Sequence, residues 1–214
     1  MKIISLPELE ASSRRAGPGE RASVAVGTFD GVHLGHRAVI EGAHSVLTFE
    51  PHPVSIVAPA HTPKLLTRPR RKAELIASLG VQELIVIPFD AQFARRSAKE
   101  FIDHVLVGAL AARRVSVGEN FRFGHKAQGD ARMLASDGRF EAVVHPLLEV
   151  DGEIVSSSHI RGLLLTLKLI EWDLAAEIPA YLNRIRSWGY PKVAARQLQH
   201  NRQEICVAAR RKDV

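Results

Sequence analysis

The sequence predicts a doubly wound α/β fold, a parallel sheet covered by helices on both faces. Three observations carry that expectation. Short runs rich in Val and Ile recur along the chain, stretches of helical spacing lie between them, and the two kinds alternate. Parallel neighbours need crossover connections, and such crossovers are right-handed.

The first run, "SVAVGTF" (Ser23 to Phe29), is short and apolar on both sides of the pleat, as a buried strand is. A helix is expected over His33 to Ala43, and "SVLTFE" (Ser45 to Glu50) is the next strand. A helix of about 11 residues spans roughly 16 Å, enough to return along one short strand. The crossover is therefore close to the shortest that a βαβ unit tolerates. "RPRRKAELIASL" (Arg68 to Leu79) reads as the second helix and "ELIVIPF" (Glu83 to Phe89) as the third strand. "AKEFIDHVLVGALAA" (Ala98 to Ala112) places Phe101, Ile102, Val105, Leu106 and Leu110 on one stripe. "RVSVG" (Arg114 to Gly118) and "FEAVVHPL" (Phe140 to Leu147) supply the last two strands. After about residue 165 the pattern becomes mixed, with Pro179 and Pro191 as breakers. Two regions are expected: a domain over 1–165, and a partly helical tail over 166–214 with no assigned role.

Composition narrows the function. The 214 residues carry a formal net charge of +6, yet only 6% are aromatic. The basic excess sits at "RPRRK" (Arg68 to Lys72) and in the terminal "AARRKDV", without interleaved aromatics. It reads as solvated surface, and no nucleic-acid partner is expected. A single cysteine, Cys206, rules out an internal disulfide and fits a reducing compartment. The start "MKIISLPELEASSRR" lacks the apolar run of a signal peptide, and no window reaches the roughly 20 apolar residues of a membrane span. A cytoplasmic protein with no membrane partner is expected; oligomeric state is not legible.

The turn after the first strand, "GTFDGVHLGH", concentrates the chemistry. Ligands gather at the carboxyl ends of parallel strands, and the free N–H groups of a helix start attract phosphate. His33 and His36 are three apart and share the first helical turn. Gly27, Gly31 and Gly35 surround them, and Gly35 leaves room for a phosphate to approach. A cap and a solvated histidine would be the ordinary reading of the pair alone. The strand, glycine turn and helix start together favour a phosphate site. Zinc is not favoured, because no cysteine lies nearby to complete a tetrahedral set.

"GTFDGVHLGH" resembles the HxGH signature of the nucleotidylyltransferase superfamily. With "TFEPHP" (Thr48 to Pro53), "LLT" (Leu65 to Thr67), "VGENFRFG" (Val117 to Gly124), "GD" (Gly129, Asp130) and "VSSSHIR" (Val155 to Arg161), the chain is similar to something narrower. That is the FMN adenylyltransferase module of bacterial bifunctional riboflavin kinase/FAD synthetases, over about residues 22–165. The resemblance implies a Rossmann-like nucleotidylyltransferase fold, with ATP and FMN as substrates and FAD and pyrophosphate as products. It implies that His33, His36 and Arg161 act on the ATP phosphates and the transition state. Ser157 and Ser158 would bind those phosphates, and the backbone of Gly27, Thr28, Phe29, Asp30 and Gly31 would approach the nucleotide. Pro51, His52, Pro53, Asn120, Phe121 and Phe123 match the flavin side. Mg²⁺ is expected with ATP, with no dedicated metal ligand named. Asp30 is compatible with indirect Mg²⁺ binding or with orienting the turn.

"FEPHP" and "NFRFG" favour FMN over another phosphate acceptor, such as a phosphocholine-like or pantetheine phosphate. A flavin- or nucleotide-binding module without turnover is the remaining alternative. The sequence departs from the family pattern in shortened segments, in the kinase half, and in a tail from about 166 that resembles nothing in the family. The segment between His36 and Val46 is short, as is that from Ala135 to Phe140. "WGYPKVAA" (Trp188 to Ala195) keeps the Gly and Pro of a kinase GxPTAN motif but has Lys192 and Val193 in place of Thr and Ala. Kinase activity is not expected.

Overall fold

The computed structural model describes residues 1–11 and 23–169. Its elements in chain order are β1 (Lys2–Ser5), α1 (Leu6–Ala11), β2 (Ser23–Val26), α2 (Leu34–Ile40), β3 (Ser45–Glu50), α3 (Pro53–Val57), α4 (Pro69–Ala77) and β4 (Glu83–Pro88). Next come α5 (Ala98–Glu100), which runs on as a π-helix over Phe101–Ala109, then β5 (Arg114–Gly118), β6 (Arg122–Phe123), β7 (Gly129–Asp130), α6 (Ala131–Ala135) and β8 (Glu141–His145). β9 (Glu149–Val150), β10 (Glu153–Ile154) and α7 (Ser157–Leu169) follow.

Six strands form one parallel sheet in the order β1-β4-β3-β2-β5-β8. The chain works outward from β2 to β3 and β4, then returns to place β5 and β8 on the other side. The direction reverses between β2 and β5, and a crevice opens outside the carboxyl ends of strands at such a point. Two antiparallel pairs, β6 with β7 and β9 with β10, lie outside the sheet.

Alternation along the strands sorts the core into two layers. Val24, Val26, Leu47, Phe49, Ile85, Ile87, Val115 and Val117 pack with Leu9, Phe101, Ile102, Leu106 and Leu134 on one face. Ala25, Val46, Leu84 and Val86 pack with Val39, Ile40, Ala73 and Ile76 on the other. The doubly wound expectation holds: α1, α5 and α6 cover one face, α2 and α4 the other.

Several expectations change in detail. The first helix is seven residues, Leu34–Ile40, rather than the whole of His33 to Ala43. It ends where the chain turns through Glu41 and Gly42. The stripe from Phe101 to Leu110 is satisfied by a wider ladder, with the Leu110 N–H reaching the Val105 carbonyl at 3.0 Å. Its spacings of four and five suit bonds that run i to i+5. Lys72, inside the supposedly solvated "RPRRK", is only 6% exposed, while Arg68 and Arg70 are exposed. It precedes Ala73 and stands four residues before Ile76, on the buried side of α4. The edge strand β1, the short helices α1, α3 and α6 and the two-residue strands went unread, being too short for a periodic signal. Among the described residues, no helix is long and apolar enough to cross a membrane. The tail expected over 166–214 lies outside the described residues from 170 onward.

Candidate active site

The turn from β2 into α2 is held in an unusual backbone conformation. Phe29 and Val32 have φ of 51° and 43°, a left-handed region in which bulky side chains are rare. Burial overrides that cost, for both side chains are 1% exposed. Gly31 has φ 89°, and a Cβ there would stand 2.9 Å from Leu66 Cδ1. The turn is therefore pressed against the Lys64–Thr67 segment.

Asp30 fixes this contact. Its buried carboxylate accepts hydrogen bonds from the Leu66 N–H at 2.9 Å and the Thr67 N–H at 2.9 Å, and a third from the Thr67 hydroxyl at 3.3 Å. Arg161 on α7 donates to it through Nη2 at 2.6 Å, and through Nε to the Lys64 carbonyl at 2.9 Å. The Ser157 hydroxyl donates to the Asp30 carbonyl at 2.9 Å. The start of α7 is thus tied to the turn that starts α2.

His33 caps α2: its Nδ1 accepts the His36 N–H at 3.3 Å. In the neutral ring the proton then sits on Nε2. The two imidazoles stack with centroids 3.6 Å apart, and the Phe29 ring meets His36 edge-on at 5.4 Å. Burial pushes the His33 pKa down to about 4; nearby Asp30 opposes the shift and Arg161 adds to it. Burial likewise holds His36 well below 6.5, helped by His33, Lys72 and Arg161. His36 Nδ1 is buried without a hydrogen-bond partner among the described residues. Both rings are neutral donors near pH 7.

These groups open on a cleft of about 930 Å³ at the switch point. Gly27, Thr28, Phe29, His33, Gly35, His36, Ser157 and Ser158 line one part of it. His52, Pro53, Asn120, Phe121 and Phe123 line another. Asp30, Gly31, Pro51 and Arg161 do not line it; the first two and Arg161 form the tie behind its wall, and Pro51 precedes His52, which caps α3 by accepting the Val54 N–H at 3.3 Å. Every Asp, Glu, Lys or Arg lining the cleft is basic: Arg95, Arg96, Arg122 and Lys126. Such a lining suits an anionic ligand.

Sequence reasoning missed most of an aromatic wall. Of the eight phenylalanines, Phe49, Phe89, Phe93, Phe101, Phe123 and Phe121 form a continuous chain of rings, with centroids 5.3–6.5 Å apart. All six line the cleft. A signal was present: Phe49 and Phe89 each stand at the carboxyl end of a strand. Phe121 and Phe123 stack at 5.6 Å and 17° beside the β6–β7 pair, which Arg122 and Asp130 brace at 3.1 Å. Lys72 was missed too, and Thr67, read only as part of the "LLT" motif, proves to bond Asp30 through its N–H and hydroxyl. Among the described residues no group of three or more His, Cys, Asp or Glu could hold a metal ion.

The family described as FAD synthetase matches residues 17–159. The chain is 37% identical over 131 residues to the bifunctional riboflavin kinase/FMN adenylyltransferase of Escherichia coli K12, covering 56% of this chain and 42% of that protein. The protein of the same name from Listeria monocytogenes is 38% identical over 151 residues, covering 64% and 48%. That from Pseudomonas fluorescens is 33% identical over 175 residues, covering 75% and 55%. The chain thus spans about half the length of these relatives. Two crystal structures share the fold. A macrolide-efflux protein from Streptococcus pneumoniae matches with TM-score 0.62 at 24% identity, over 76% of this chain and 57% of that one. Pantoate-beta-alanine ligase from Francisella tularensis matches with TM-score 0.50 at 15% identity, over 88% and 87%. The Rossmann-like nucleotidylyltransferase fold expected from the sequence is the fold observed.

Proposed function

The chain belongs to the FAD synthetase family, and from that premise we propose that it transfers the adenylyl group of ATP to FMN, giving FAD and pyrophosphate. One observation supports this above the others. The stacked His33 and His36 share a single cleft with a wall of six phenylalanines, so one cleft offers donors for phosphates and apolar faces for a flat ring.

An oxygen of the FMN phosphate attacks the α-phosphorus of ATP in line. The new O–P bond forms as the bond to the bridging oxygen breaks, and pyrophosphate leaves with that electron pair. The attacking phosphate is already ionised near pH 7, so no strong base is required. The protein must supply alignment and stabilisation of developing negative charge. His33 and His36 act as neutral donors to the ATP phosphates, His33 through Nε2–H. Ser158 and the first N–H groups of α7 face the same phosphates. Ser157 holds α7 to the turn. Arg161 spends Nε on the Lys64 carbonyl and Nη2 on Asp30, so from behind the cleft wall it holds the start of α7 and the turn in place and adds positive charge near the phosphates.

Mg²⁺ accompanying ATP would supply neutralisation of the phosphate charge. The Asp30 carboxylate is engaged by Leu66, Thr67 and Arg161, which favours orienting the turn over metal binding. His52, Pro53, Asn120, Phe121 and Phe123 form the flavin side, with Pro51 leading into it from β3.

The test is purified protein with FMN, ATP and Mg²⁺, following FAD by chromatography. Steady FAD and pyrophosphate formation is expected. Folded protein that binds both ligands yet forms no FAD would overturn turnover in favour of a binding module.

A further inference from the structure

Lys72 is a buried ammonium with three acceptors. Its Nζ lies 2.6 Å from Glu50 Oε1, 3.2 Å from Thr48 Oγ1 and 3.3 Å from the Thr28 carbonyl. The Thr48 hydroxyl donates to the same carbonyl at 3.2 Å. Thr28 follows β2 and leads into the turn that carries Asp30, His33 and His36. Glu50 ends β3 and leads into Pro51, His52 and Pro53. One cation on α4 therefore ties together two strand ends, one feeding the phosphate donors and the other the opposite part of the cleft. Apolar side chains would fill such a place without the desolvation cost of an ion pair.

We propose that Lys72 is a positioning residue for the adenylyl transfer, holding the Thr28 carbonyl and the Glu50 carboxylate at the spacing that lets the two substrate phosphates meet. Its kinetic part rests on the FAD-forming reading above. The same charge acts on the imidazoles. His36 is faced by His33, Lys72 and Arg161, and His52 by Asp30, Arg161, Lys72 and Glu50. Burial is the main cause that lowers the His52 pKa; Lys72 lowers it further and Glu50 raises it.

The experiment compares Lys72→Met, Glu50→Gln and Lys72→Arg. Ring ¹⁵N titrations of His52 are expected to move in opposite directions, upward in Lys72→Met and downward in Glu50→Gln. A pair that served only as a structural brace would loosen the cleft in both variants and move His52 upward in both. In turnover, Lys72→Met is expected to lower kcat about 10- to 100-fold, with KM for ATP and FMN changed less than about threefold. Lys72→Arg is expected to recover most of the rate. Shifts of His52 in the same direction, or wild-type kcat in Lys72→Met, would overturn the inference. If Lys72→Met does not fold, Glu50→Gln decides alone: a downward shift of His52 supports the inference and an upward shift overturns it. If the wild type forms no FAD, the proposed function falls, while the titrations on the free protein still decide the electrostatic role.

Discussion

Asp30 and Arg161 stand 131 positions apart in sequence and meet at 2.6 Å. The carboxylate also accepts the amides of Leu66 and Thr67, so three separate segments converge on one buried charge. His33 and His36 at the start of α2 and the first turn of α7 are placed relative to each other by this junction.

Asp30→Asn keeps the shape and loses the charge, and its amide nitrogen cannot accept the bonds that one carboxylate oxygen takes. Breaking a buried pair leaves Arg161 uncompensated, so stability is expected to fall by about 3 kcal/mol. A urea titration measures this. FAD formation is expected to fall at the same time, because α7 loses its tie to the turn.

Stability should also depend on pH through His33. The unfolded chain takes up a proton near 6.5, while the folded ring does so only at about 4. Between those values the unfolded state binds more protons, so this contribution is full above about pH 6.5 and is lost as pH falls toward 4. Thermal unfolding across that range is expected to show a slope that His33→Asn reduces. A slope unchanged by the substitution would count against a neutral His33.

His36→Ala is expected to lower kcat about 10²- to 10³-fold, as loss of a transition-state donor does elsewhere. FMN affinity, read by fluorescence anisotropy, should stay close to wild type. Equal losses in affinity and rate would place His36 in ground-state binding instead.

Gly124 has φ 74°, and a Cβ there would stand 2.5 Å from the Ala98 amide nitrogen. Gly124→Ala must therefore push the β6–β7 pair away from α5. FMN affinity is expected to drop while ATP affinity holds, which calorimetry with each ligand can separate.

Phe121 is half-buried and stacked on Phe123, so its loss opens a ring face without emptying the core. Phe121→Ala is expected to weaken FMN binding up to about tenfold. Unchanged affinity would remove the aromatic wall from the flavin site.

Legibility followed the length of the signal. The bounds of β3 and β5 match the sequence expectation, because Val46, Leu47 and Phe49, and Val115 and Val117, stand in short stretches closed by polar residues or glycine. β2 was read three residues too long, since Gly27, Thr28 and Phe29 already belong to the turn. α2 was read too long because nothing apolar marks where it stops before Gly42. In the site, spacing alone paired His33 with His36, and the stacked rings have that arrangement. Spacing could not say that Lys72 leaves the basic run for the interior, as a burial decision depends on which partner waits there.

By itself the sequence determined the alternation of β2, β3, β4, β5 and β8 with the longer helices, the two-faced sheet and the sharp turn that carries His33 and His36. These follow from local periodicity and from the few residue types that a sharp turn at a strand end permits. Only the tertiary structure decided that Arg161 lies against Asp30, that Lys72 bridges two strand ends, and that six phenylalanines form one wall. Those contacts join residues on different elements, and the strand order β1-β4-β3-β2-β5-β8 is what brings them together. No local spacing encodes a distance that exists only after the sheet has closed its hydrogen bonds.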